Sequence, residues 1–269
     1  MLARLRKDHR TSGGGREDGI LADIEARTEA LMRKYGRDDD MPWLTPDGCD
    51  GGDDEVRESA PHHLSEAAIA RDRSHVLSAC RVLATHRALS SWIGDDDALL
   101  RMLREHNGAE ASASSMLSGA VAAAMSLSRD PSALAVRMVR AVAYDQGQRG
   151  WAWRETGADG AEVDAKPPPP PWASDASDVK TNASPRAGGG NDVLLEMSTR
   201  RCLYHTLYAL EGSPELAAAT CCGVDGEVWF AHAGRFGLCV TRPEALSAGD
   251  EKCALRVERR PPDKVNAGA

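Results

Sequence analysis

Apolar residues recur every three or four positions through most of the first 147 residues and alternate after Gly150, so the chain changes from helical to strand patterning. Between Ile20 and Gly36, Ile20, Ile24, Ala30 or Leu31, and Tyr35 share one face, and Gly36 stops the helix. From His62 onward Ile69, Val76, Leu77, Cys80, Leu83, Ala84 and Trp92 mark a second, longer helix that ends at Gly94. Asp95 or Asp96 is placed to cap the next one, with Leu99, Met102 and Leu103 inward and Asn107–Gly108 at its C-terminal end. The stretch 115–128 predicts a helix with a small-residue face. Asp130–Pro131 then supplies an N-cap and a first-turn proline for a helix burying Leu134, Met138 and Val142.

After Gly150, Trp151 and Trp153 alternate with smaller or polar residues, the mark of a half-buried strand, and 192–200 (DVLLEMSTR) reads as a second. CLYHTLYALEG predicts a short helix stopped by Gly212. Ser213–Pro214 opens another that runs to about Phe230, and 235–242 and 251–260 alternate as two further strands. The expected fold class is α+β: an N-terminal helical layer followed by a small antiparallel sheet with two helices inserted, strand-strand-helix-helix-strand-strand. Residues 1–60 read as a mostly flexible extension with one helix, and 62–260 as a single domain. A Pro/Gly-rich insertion at 157–190, containing five consecutive prolines (Pro167 to Pro171), interrupts that domain, and 261–269 read as a disordered tail.

Composition narrows the function. With 25 glycines, 14 prolines and 4% aromatic residues, only part of the 269-residue chain is expected to pack. A net charge of −8 without a basic stripe speaks against nucleic acid as a partner. No apolar run reaches the 18 or more residues that a membrane-spanning helix needs. The basic start has no apolar core of a secretory signal, and Asp8, Glu17 and Asp18 are unusual in a transit peptide, so a cytoplasmic location is expected while organelle import stays open. Seven unevenly spread cysteines fit reduced thiols better than a disulfide framework. The acidic, glycine-rich stretch after Gly36 reads as a linker, with Cys49 a bystander. The proline-rich segment admits a separate reading, an interaction protein whose acidic and proline-rich parts do the work.

Residues able to do chemistry concentrate between Cys202 and Phe230: Cys202, His205, Glu215, Cys221, Cys222 and Asp225. On a helix, positions three apart share a face, so Cys202 and His205 could address one point, as could Asp225 with either thiol of the doublet; Cys253 on the last strand is a further site residue. Three readings remain open. A thiol is a nucleophile activated by His205, with Glu215 or Asp225 orienting or shuttling a proton. Alternatively the thiols and His205 bind a divalent metal, although the second half lacks a Cys-x-x-Cys. Or the cysteines are small buried hydrophobes and His205 a satisfied core histidine. Nothing makes a cofactor certain. His62–His63 reads as a capping or surface pair, Cys80 and Cys239 as inward-facing residues, and His75 and His86 share a helix face without an evident carboxylate.

The segment from Met197 to Phe230 resembles the signature region of the L-2-amino-thiazoline-4-carboxylic acid hydrolase family. The resemblance rests on Cys202 and His205, Gly212-Ser213-Pro214-Glu215-Leu216, Cys221 or Cys222 and Asp225, and on Gly249, Asp250 and Cys253 near the end, with Ala254 where an aromatic is usual. It is strong over 191–260, vague over 62–156, and absent from 1–60 and 157–190. It implies hydrolysis of a cyclic amidine-like C–N/C–S bond in a small molecule, giving a carbamoyl-cysteine. On that implication His205 is the base, Cys221 or Cys222 the nucleophile, Glu215 and Asp225 proton handlers, and Arg200 or Arg201 the clamp for the substrate carboxylate. A non-catalytic sensor domain for a small ligand or metal, built on the same elements, is the alternative.

Overall fold

The computed structural model describes residues 15–36, 66–113, 115–146, 150–151, 153–156, 161–164, 192–222 and 233–260. Their elements run α1 (Gly15–Tyr35), α2 (Glu66–Ile93), α3 (Asp96–Ala113), α4 (Ser115–Leu127), α5 (Pro131–Gln146), β1 (Arg154–Thr156), β2 (Glu162–Asp164), β3 (Asp192–Thr199), α6 (Leu203–Leu210), the single turn α7 (Glu215–Ala217), β4 (Leu238–Glu244) and β5 (Cys253–Arg259). The fold is α+β, with a five-stranded antiparallel sheet in the order β2-β1-β3-β5-β4. No described helix is long and apolar enough to cross a membrane.

The chain divides into two compact units, and the division does not fall at residue 60. One, the helical unit, holds residues up to Asn107 together with Leu203–Thr220; the other, the sheet unit, holds Gly108–Cys202 and everything from Cys221. The chain therefore leaves the sheet unit after Cys202, contributes α6 and α7 to the helical unit, and rejoins the sheet unit at Cys221.

In the helical unit α1 is part of the packed structure. Its Leu31 and Tyr35 are buried, and it packs along α2. On α2 the buried stripe is Val76, Ala79, Cys80, Leu83, Ala84, Ala88 and Leu89, while Trp92, expected inward, is 38% exposed. The Asp95 carboxylate accepts from the Ala98 N–H (3.0 Å) and caps α3. This helix does not stop at Asn107–Gly108 but continues to Ala113; one glycine costs a helix only about 1 kcal/mol, which neighbouring turns can absorb. Helix α6 ends in a Schellman turn. Gly212 adopts a left-handed conformation (φ 74°), its N–H reaches Ala209 O (3.0 Å), and the Ser213 N–H reaches Tyr208 O (2.8 Å). The next helix starts with Pro214, not Ser213, in the cap position, and after Ala217 it widens into a π turn, Ala218–Cys222.

A half-buried carboxylate ties three helical segments of this unit together. Glu211, just beyond α6, accepts from Lys34 Nζ (2.7 Å) and the Tyr35 hydroxyl on α1, and pairs with Arg87 Nη2 on α2 (2.8 Å). The same guanidinium donates to the Glu211 backbone carbonyl (2.7 Å). Burial alone would raise the Glu211 carboxyl, but these donors outweigh it and hold it down at about 2.

The sheet unit is built around Val136, Val139 and Ala143 of α5, packed with Met125, Leu194, Leu195, Met197, Leu238 and Val257. The buried face of α5 is rotated from the expected one. Leu134 and Met138 are only half-buried, and the smaller Ala135, Val136 and Val139 face inward, because a helix lying close on a sheet favours short side chains at the contact. The first strand of the sheet begins only at Arg154, with Trp151 buried in the preceding turn, and β2 lies inside the segment expected to be wholly disordered. Thr156 opposite Glu162 sets the β1–β2 register, and β2 is fastened by Glu162, which accepts from the Ser198 hydroxyl of β3 (2.8 Å). A pair on Arg140 and Glu155 joins α5 to β1, and Arg256 Nη2 on β5 pairs with the cross-strand Glu196 on β3 (2.8 Å). The five prolines, Cys49, His62–His63 and the 261–269 tail lie outside the described residues.

Glu211→Gln should destabilise the helical unit by about 1–3 kcal/mol near neutrality, toward the lower end because Lys34 is exposed. Since the folded carboxyl is depressed, its contribution is complete above about pH 4.5 and fades as the pH falls toward 2. Urea unfolding of wild type and variant at pH 7 and pH 3 should show a gap that narrows at the lower pH; a constant gap would mean that Glu211 acts by packing alone.

Candidate functional site

Four of the seven cysteines meet in the sheet unit. Cys202 follows the end of β3, Cys221 and Cys222 close the π turn, and Cys253 opens β5, where it stands opposite Thr199. Cys221 Sγ lies 3.7 Å from Cys222 Sγ. Cys221 also hydrogen-bonds to Cys202, and Cys222 to Cys253, so the sulfurs form a chain Cys202–Cys221–Cys222–Cys253. All four are reduced; Cys202 and Cys253 are buried, and the doublet is partly exposed.

The turn between β4 and β5 supplies the surroundings. Its 3-10 turn, Leu246–Ala248, is closed by Gly249 with φ 90°, a conformation that disfavours any side chain, and the Asp250 carboxylate accepts from the Ala245 N–H (2.7 Å). The turn so fixed points the Leu246 N–H at Cys253 Sγ (3.3 Å) and brings the Ser247 hydroxyl to Cys222. Arg242, on β4, places its charge close to the same sulfur.

Two negative sulfurs at 3.7 Å would repel strongly, so the cluster can hold one thiolate stabilised by protonated neighbours. The hydrogen bonds from Cys221 and Cys253, joined by smaller contributions from Ser247 and Arg242, outweigh burial and hold Cys222 far below the ordinary thiol range. The complement is seen in its neighbours. Hydrogen bonding to Cys202 and Cys222, then burial, pushes Cys221 well up, and hydrogen bonding to Cys222, then burial, raises Cys253.

The other expected site residues are distributed as follows. Helix α6 begins at Leu203, so Cys202 precedes it rather than sharing a helical face with His205. His205 is half-buried on α6, and Glu215 is exposed at the start of α7; both belong to the helical unit. There Glu215 and Asp96 act on buried His86, whose pKa is lowered by burial and pulled back up by both carboxylates. His75 has its Nδ1 3.1 Å from the Tyr204 hydroxyl. Arg200 is exposed and Arg201 half-buried in the short link from β3 to Cys202, held by an exchange in which the Thr199 hydroxyl donates to Arg201 O (2.8 Å) and accepts from its N–H (3.1 Å). Asp225 lies outside the described residues. Among the described residues, no group of three or more His, Cys, Asp or Glu side chains is arranged to hold a metal ion.

Arg242, Ser247 and the Leu246 N–H were not legible as site groups in the sequence. The available signal was the turn chemistry of Ala248–Gly249–Asp250 just ahead of Cys253, which shows a tight return between strands but not what it faces. Compared with known protein families, characterised proteins and solved structures, the chain finds no match.

If Cys222 carries the charge, iodoacetamide at about pH 6, where an ordinary thiol is under 1% ionised, should label Cys222 well ahead of Cys80, Cys239 and Cys253. Arg242→Met should slow that labelling several-fold and move its pH dependence upward. Peptide mapping that finds all thiols labelled alike would remove the anion from Cys222.

Proposed function

We propose that this chain is a thiol-dependent hydrolase of small cyclic amidine-like substrates, of the 2-amino-thiazoline-4-carboxylate type. The observation that carries the reading is the Cys222 sulfur, partly exposed and surrounded by the thiols of Cys221 and Cys253, the Ser247 hydroxyl and the Arg242 charge. The resemblance of 191–260 to the thiazoline-carboxylate hydrolases supplies the substrate class.

In this reading the Cys222 thiolate attacks C2 of the ring, the carbon flanked by nitrogen and sulfur. The bond from C2 to the ring sulfur breaks, and the sulfur departs as a thiolate whose conjugate thiol has a pKa near 8.5, so no strong acid is required. Water then attacks the isothiourea carbon and expels Cys222, giving a carbamoyl-cysteine. Across the two steps one water is consumed and the enzyme thiolate is restored. Arg200 and Arg201, in the link that joins the strand end opposite Cys253 to Cys202, are the candidates for binding the substrate carboxylate. A compartment that keeps thiols reduced, as the cytoplasm does, suits the chemistry. His205, Glu215 and Asp225 enter through the resemblance alone, as its base and proton handlers.

Purified protein incubated with L-2-amino-thiazoline-4-carboxylate should yield carbamoyl-cysteine by mass spectrometry, and Cys222→Ser should lower turnover by about 100-fold or more with the fold retained by circular dichroism. His205→Ala should lower turnover by a similar factor if it is the base. Absence of product from reduced wild-type protein, or full turnover by Cys222→Ser, would sink the reading.

A further inference from the structure

We propose that Cys221 and Cys222 form a vicinal dithiol site that takes a trivalent arsenical as a one-atom bridge between its two sulfurs. The inference shares the Cys222 sulfur with the hydrolase reading but does not rest on it.

The separation of the two sulfurs carries the inference. On a regular helix, neighbouring residues project about 100° apart, which directs their side chains away from each other. Cys221 and Cys222 close a π turn instead, and their Sγ atoms lie 3.7 Å apart. Sulfur bonds to zinc at about 2.3 Å, and to arsenic in the same row of elements at a similar length. Two such bonds meeting at roughly 100–110° end about 3.5–3.8 Å apart, so a single bridging atom fits the doublet as it stands. A direct S–S bond does not fit. It would draw the sulfurs in to about 2.05 Å, and adjacent Cα atoms, about 3.8 Å apart across a trans peptide, fall short of the roughly 4.4–6.8 Å that a relaxed disulfide spans. The doublet is therefore built to hold a bridge rather than to close on itself.

Access and ligand count favour the same pair. Both members of the doublet are reduced and partly exposed, whereas Cys80, Cys202 and Cys253 are buried. Cys253 Sγ is already held by the Leu246 N–H (3.3 Å), and Cys239, on β4, meets Arg260 Nη2 (3.6 Å). A monosubstituted trivalent arsenical has two positions to exchange, so two sulfurs complete it and no third ligand is required. That suits a site where, among the described residues, no group of three or more metal-ligating side chains converges. In the exchange each hydroxyl on arsenic leaves with one thiol proton as water, and two As–S bonds replace two As–O bonds. Arsenic stays trivalent and no electron is transferred. Two free thiolates at 3.7 Å would repel, and a centre bonded to both removes that charge. An occupied doublet has no free Cys222 sulfur, so hydrolysis through Cys222 would stop until a competing dithiol removes the arsenical.

The test is to treat the reduced full-length protein with one equivalent of phenylarsine oxide, which hydrates to the dihydroxide, and to locate the adduct by mass spectrometry. The expected product is one arsenical bound through two sulfurs on the peptide that carries Cys221 and Cys222. Cys221→Ser and Cys222→Ser should each weaken its retention against a competing monothiol by about tenfold or more, with unchanged circular dichroism, because one of the two bonds is lost. Cys202→Ser and Cys253→Ser should keep it within about twofold of wild type. Wild type unfolded in urea, where nothing holds the sulfurs at that separation, should retain the arsenical about tenfold less firmly than the folded protein. An adduct that bridges to Cys202 or Cys253, equal retention by the doublet variants or by the unfolded chain, or no adduct on folded wild type would overturn the proposal. Because the readout is a mass and not turnover, an adduct on a protein that cleaves no thiazoline counts against hydrolysis alone, and turnover without an adduct counts against the dithiol site alone.

Discussion

The sheet unit gathers four sulfurs whose contacts set their titrations apart. Hydrogen bonding and burial push Cys221 and Cys253 up, while Cys222, with Ser247 and Arg242 beside it, is pulled down by the hydrogen bonds it receives. If the four thiols were only small hydrophobes, nothing would require a cation or a hydroxyl at the cluster. The cluster also stands at the junctions of the chain path. Cys202 is the last residue before the chain departs for α6 and α7, and Cys221 is the first after it returns. Their hydrogen bond closes the base of that excursion and holds both of its ends in the sheet unit.

In the helical unit Glu211 plays a comparable part by different means. A carboxylate with one lysine, one tyrosine and one arginine around it satisfies charge and hydrogen bonds together, and its partners come from α1 and α2. Gly212 is what makes this compatible with the end of α6. The left-handed turn ends the helix at once, leaving Glu211 beyond its last turn with its carbonyl available to Arg87. A residue with a side chain at position 212 would be strained there even though nothing crowds the space.

Much of this was legible because regular elements announce themselves. The stripe on α2, the Asp95 and Asp130 caps, the strands at 192–200 and 251–260 and the turn at Gly212 all follow from periodicity and capping chemistry that act over a few residues. Where tertiary packing decided, the pattern misled. Leu134 and Met138 are the larger residues on α5, but the sheet selects the face with Val136 and Val139. Glu162 and Val163 looked like part of a polar insertion because three residues are too few to show alternation; the Ser198 hydroxyl and the β1 ladder hold them in the sheet. The cysteines were visible as a set, but their order was not. Helix spacing linked Cys202 to His205, whereas Cys202 precedes α6 and its contact is with Cys221, and Cys253 meets the β4–β5 turn.

The residues that carry the resemblance to the thiazoline-carboxylate hydrolases have physical reasons in this chain whatever its ancestry. Gly249 supplies a positive φ, Asp250 closes the turn on Ala245, and together they aim the Leu246 N–H at Cys253 and hold Ser247 beside Cys222. A Gly-Asp pair three residues ahead of a cysteine is therefore a device for supporting a buried sulfur from one side. Ala254, at the next position, is almost fully buried beside Cys253 and gives the sheet little bulk at that point. A nucleophile needs such support, since a lone thiol in an apolar site would stay protonated and inert. The groups that pull Cys222 down, the Cys221 and Cys253 thiols and the Ser247 hydroxyl, lie beside a sulfur that stays partly exposed.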